Sequence, residues 1–180
     1  GSYGVAALAG YGVGARLEYI LVPIAFGFGT ALTALVATNM GAGQRERALR
    51  VTWLGGGVVA AITSAIGITA AVAPALWMDF FTSDPLVRSF GASYLNGVGG
   101  FYGFFGLGLA LFFASQGAGR MAWPLVGSVA RLVVVAVGGW ICVHALQAPA
   151  SAFSAVVALS LVVYAAVIAA AIRLGGWQRR

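Results

Sequence analysis

Residues 19–44 read YILVPIAFGFGTALTALVATNMGAGQ, a run without one charged side chain. An α-helix rises about 1.5 Å per residue, so roughly 20 apolar residues cross a hydrocarbon core about 30 Å thick. Similar runs recur at 51–78, 89–119 and 145–172, and a fifth, 121–145, is interrupted only by Arg131. Short alternating segments of the membrane β-barrel kind are absent from the sequence, which leaves helices to satisfy the backbone in lipid. Whole-chain composition agrees, with 61% of residues hydrophobic and 8% charged. Soluble domains carry about 25% charged residues, so this chain could not cover itself with polar surface. The expected fold is an all-α polytopic helix bundle. It forms one membrane domain over residues 1–180, with spans near 19–40, 53–77, 89–116, 121–145 and 150–173.

The connections orient that bundle. Arg45, Arg47 and Arg50 fall in one connection, Arg120 in another, and Arg173, Arg179 and Arg180 in the tail; once the spans alternate, all seven share a side, against only Arg88 among the outer connections. Positive charge retained on the cytoplasmic side sets an outside N-terminus and a cytoplasmic C-terminus. The net charge of +6 is thereby accounted for, and nucleic acid is not an expected partner. The lipid bilayer is. Trp53, Trp77, Trp123, Trp140 and Trp177 all fall near span ends, as an aromatic belt requires. Trp53 to Trp77 spans about 36 Å of helix and Trp123 to Trp140 about 26 Å, bracketing one bilayer.

Counting about 20 residues back from the Gly41-Ala42-Gly43 turn puts the outer boundary near Tyr19. Residues 1–17 are then an outer connection, a protruding helix start or the end of a preceding helix. The opening Gly1-Ser2 is either an expression remnant or a cut inside a longer gene. Pro23, one turn into the membrane, is expected to kink the first span and free carbonyls there. Ser83-Asp84-Pro85 reads as an N-cap with proline at the first helical position. Gly10-x-x-x-Gly14, Gly99-x-x-x-Gly103 and the cluster Gly97, Gly99, Gly100, Gly103, Gly106 and Gly108 point to close helix approach. Phe26-Gly27-x-Gly29 leading to Asn39-Met-Gly-Ala-Gly is echoed by Phe105-Gly106-x-Gly108 leading to Gln116-Gly-Ala-Gly.

Enzyme chemistry lacks its parts. His144 is the single histidine, and with Cys142 two residues away it makes a poor metal pair. The acids Glu18, Glu46, Asp79 and Asp84 all fall at or outside a span boundary, and no two form a dyad by spacing. No catalytic, cofactor-binding or metal-ligating set is expected. Arg16 and Glu18 are two apart and so do not face each other on a helix; both are placed at the outer interface. Arg131 lies near mid-membrane, where a guanidinium costs on the order of 2.5–3.5 kcal/mol on insertion scales. It either serves function or snorkels to the cytoplasmic side, and no acid of the chain is expected deep enough to pair with it.

The motifs carry a resemblance. Ala7-Leu8-Ala9-Gly10-Tyr11-Gly12, Pro23, Asn39-Met40-Gly41-Ala42-Gly43 with Arg45 and Arg47, and Gln116-Gly117-Ala118-Gly119-Arg120 followed by Pro124 resemble the second-half signature of the multidrug and toxic compound extrusion (MATE) family. The resemblance implies a second lobe lacking its first helix, family helices eight to twelve, in a bacterial inner membrane. It implies cation-driven export of amphipathic or cationic small molecules, with the missing N-terminal lobe of the same protein as partner. One branch of that family keeps a cation-binding acid in the third span here, yet residues 89–115 contain none. Phe104, Phe105 and Gly106 stand around that place. The coupling cation, H⁺ or Na⁺, is therefore expected to find its ligands outside these residues. Asn96, Tyr102, Gln116 and Arg131 are the polar groups expected toward a substrate cavity. A lipid-linked oligosaccharide flippase of the same superfamily and a non-transporting membrane assembly subunit are the alternatives.

Overall fold

The computed structural model describes residues 4–145 and 149–177, with the side chains of 150 and 151 excepted; Arg179 and Arg180 lie outside the described residues. Seven α-helices follow in order: α1 Val5–Gly41, α2 Arg45–Val72, α3 Ala75–Met78, α4 Pro85–Val98, α5 Tyr102–Gly117, α6 Ala122–Trp140 and α7 Ala150–Arg173. A 3₁₀ turn, Gly99–Phe101, joins α4 to α5 in one span, and a π-helical turn, Ile141–Ala145, extends α6. Strands are absent among the described residues, and five helical segments are long and apolar enough to cross a membrane. The chain is an all-α integral membrane bundle.

The first helix begins fourteen residues before the boundary placed near Tyr19, so the segment 5–18 is a helix start and not a connection. Its buried positions explain the length. Ala7, Gly10, Gly14, Leu17, Leu21, Ala25, Gly29, Leu32, Val36 and Asn39 are all buried, and their spacing of three or four keeps one stripe on one helix face. The helix continues through Pro23, which has no N–H to give the carbonyl of Tyr19.

Both Gly-Ala-Gly turns close a helix in the same manner. Gly43 and Gly119 take positive φ, 73° and 68°. Gln44 N–H then bonds the Asn39 carbonyl at 2.8 Å and Arg120 N–H the Ser115 carbonyl at 2.9 Å, the Schellman arrangement that satisfies a helix's last carbonyls. At the opposite end Asp84 caps α4 as its sequence context requires, accepting from Leu86 N–H at 2.8 Å and Val87 N–H at 3.3 Å.

Packing centres on the third span. The fifth helix lies against α2, α1 and α7, while α4 lies against α1 and α7. Glycines set the approach: a Cβ on Gly67 would run into the Gly99 carbonyl and one on Gly99 into the Gly67 carbonyl. Gly103 and Gly106 meet Ser64 and Thr63 of α2, and Gly10 meets Val87, Phe90 and Gly91 of α4. Gly100 has open space around it. The sixth helix behaves otherwise, packing chiefly along α7 and touching α5 only lightly. Among the tryptophans, Trp123 and Trp140 are exposed, whereas Trp177 is buried and Trp77 donates to the Val13 carbonyl at 3.0 Å.

Candidate functional site

The stripe that buries α1 also aims Glu18. Leu17 and Leu21 face the core, and Glu18, one residue round the helix, projects from the flank of that stripe toward α4 and α6. Its Oε2 accepts from Arg131 Nη2 at 3.0 Å, and its Oε1 accepts from the Tyr94 hydroxyl at 3.4 Å. The two charged side chains are only 17% and 28% exposed, Glu18 the more buried. Arg131 also lies over the Phe105 ring, 5.0 Å from its centroid, a placement in which the ring's negative face adds to the carboxylate's attraction.

This overturns the expectation that no acid of the chain is deep enough to meet Arg131. The count back from Gly41 fixed where one bilayer thickness could begin, but α1 extends fourteen residues further as a helix with one buried face. Glu18 is therefore covered by neighbouring helices and not by solvent. Arg16 and Glu18 do point apart, as their spacing requires: the Arg16 guanidinium lies 5.4 Å from the Phe81 ring centroid, on another side of α1.

Beside the pair, a cavity of about 380 Å³ separates α1 from α6. Its walls are Phe26, Leu109, Phe112, Phe113, Ser128, Arg131 and Tyr164. Phe26 and Phe113 meet edge to face at 4.7 Å between centroids, and Phe112 meets Phe113 likewise at 5.9 Å. Thr33 fixes this wall by donating to the Phe113 carbonyl at 3.0 Å. An aromatic chamber with one charged side chain at its edge can hold an amphipathic molecule, apolar body against rings and polar end toward the pair.

Of the four polar residues expected toward a cavity, Arg131 lines this one. Tyr102 is fully buried, and its hydroxyl lies beside Tyr94 and Glu18. Asn96 sits elsewhere, its amide oriented to donate to the Ala71 carbonyl at 2.5 Å and so tie α4 to the end of α2. Gln116 is exposed at the last turn of α5. Cys142 is buried in the π-helical turn, and His144 is exposed, stacked on Trp140 at 5.4 Å. Among the described residues no three His, Cys, Asp or Glu side chains gather as a metal site would need.

A family model, MatE, matches residues 1–141. The chain belongs to the MatE family. The match covers both partners of the ion pair and every wall of the cavity except Tyr164 of α7, and membership makes this MatE chain part of a membrane transporter. Neither the curated proteins nor the solved structures contain a match to it. Sequence reasoning missed Glu18, Tyr94 and the ring wall. One signal was present, since Glu18 follows Gly14 by four residues on a helix whose small residues mark its packed side.

Proposed function

We propose that this chain works as one lobe of a secondary-active antiporter that exports amphipathic or cationic compounds in exchange for H⁺ or Na⁺. The observation that carries the reading is the aromatic cavity between α1 and α6 with the Glu18–Arg131 pair at its edge. A partly buried ion pair between membrane helices is costly to place and marks a functional pathway more often than a structural one. Arg131 is the substrate-pathway residue of this reading; Tyr102, fully buried, does not line the cavity. Asn96 and Gln116 belong to it only where the bundle meets a second lobe, because alternating access needs two bodies rocking about a shared site. The coupling carboxylate is assigned to that second lobe: residues 89–115 hold no acid, and Glu18 is already engaged by Arg131.

The lobe is oriented in a bacterial inner membrane with the α6–α7 connection outside, on the strength of the arginine bias. The parent protein in proteoliposomes is expected to extrude a cationic dye when an inward H⁺ or Na⁺ gradient is imposed, and to stop when the gradient is collapsed. Absence of gradient-dependent efflux for either ion would sink the antiporter reading. Orientation is tested separately with His144→Cys in a Cys142→Ser background: an impermeant thiol reagent should label intact cells, and labelling confined to inside-out vesicles would reverse the topology.

A further inference from the structure

The cavity has one charged wall residue, Arg131, and that charge is opposed by a carboxylate outside the lining, Glu18. We infer that Glu18 sets the charge preference of the cavity, cancelling the Arg131 guanidinium so that cationic amphiphiles are accepted beside the rings. This rests on the reading that the cavity holds substrate.

The effect is electrostatic. A cation seated among Phe26, Phe112 and Phe113 has Arg131 as its nearest charged neighbour. An uncompensated guanidinium about 7 Å from such a cation, at an effective dielectric near 20, disfavours it by more than tenfold. With Glu18 at 3.0 Å from Arg131 the two charges form a dipole and most of that repulsion is removed. Tyr94 holds Glu18 in place from α4 and Phe105 supports Arg131 from α5. The alignment therefore does not depend on the ligand. Glu18 is a specificity-determining residue acting through Arg131, and the rings supply affinity for either sign.

Two dyes of one ring system but opposite charge read the preference directly: cationic rhodamine 123 and anionic fluorescein, bound to the detergent-solubilised full-length protein. Glu18→Gln should weaken rhodamine 123 by about tenfold and strengthen fluorescein. Arg131→Met should act in the opposite direction on both. The double variant, neutral again, should bind rhodamine 123 within about threefold of the unaltered protein. Equal weakening of both dyes by Glu18→Gln would overturn the inference while leaving the cavity as the substrate site. Dye binding that none of the three variants alters would remove the cavity from the transport reading as well. Should Glu18→Gln fail to fold, Arg131→Met decides alone, because weaker rhodamine 123 binding by that variant contradicts the assigned sign.

Discussion

Helices α5 and α6 are both apolar runs of membrane-spanning composition, yet they live in different surroundings. In α5 the residues Tyr102, Gly103, Phe105, Gly106, Gly108, Ala110, Leu111, Phe113, Ala114 and Ser115 are buried. In α6 only Pro124, Gly127 and Gly139 are, while Leu125, Val129, Leu132 and Val137 are exposed. Hydropathy cannot separate the two, because lipid tails are as apolar as a leucine and provide no drive to bury one apolar helix over another. Small residues separate them. Where α5 carries glycine, neighbouring side chains fill the space a β-carbon would take: Ser64 and Thr63 of α2 at Gly103 and Gly106, and the Tyr164 ring of α7 at Gly108. The outward face of α6 carries branched side chains and no such contact.

The difference between α5 and α6 depends most on the glycine seam. Gly67→Ala and Gly99→Ala each place a methyl against a carbonyl of the facing helix, and overpacking of that kind costs about 1–3 kcal/mol or more. Both should lower the thermal transition and the yield of monodisperse protein. Gly100→Ala, one residue along with open space, should do neither. Equal tolerance at 99 and 100 would mean that close approach does not organise the third span.

Arg131→Leu probes the one charged contact of α6. Its efflux per molecule should fall, because the change leaves the part-buried Glu18 carboxylate without its partner. Arg131→Lys should recover part of the loss, keeping the charge without the planar fork. Normal transport by Arg131→Leu at equal expression would make the pair a packing detail. A smaller effect is expected at the start of the third span, where Asp84→Ala removes a cap and should cost about 1 kcal/mol, read as a lower melting temperature. Smallest of all is Leu132→Ala on the exposed face of α6, expected within about 0.5 kcal/mol of the unaltered protein. A larger loss there would place a partner helix on that face.

Span number, the Asp84 cap and both Gly-Ala-Gly turns were legible because each depends on local chemistry: apolar length, a side-chain acceptor before proline, a glycine at positive φ. The depth of Glu18 was not. A carboxylate reads as a boundary marker until the helix beyond it is known to be buried, and the burial of residues 5–17 comes from α3 and α4, distant in sequence. Arg131 was recognised as costly, but its partner lies 113 residues away, beyond any periodicity. The aromatic wall was equally hidden, since phenylalanine looks alike whether it faces lipid or a cavity.

The 3₁₀ turn at Gly99–Phe101 has an angular consequence. Each residue in a 3₁₀ turn advances about 120° around the axis, against about 100° in an α-helix, so three such residues rotate everything beyond them by roughly 60°. Pro85–Gly117 is thus a single rod carrying two compass bearings. The bearing of its first half turns Tyr94 toward α1, and that of its second turns Gly103 and Gly106 toward α2. An unbroken α-helix of identical sequence could satisfy one of these neighbours but would swing the other out of alignment by a sixth of a circle.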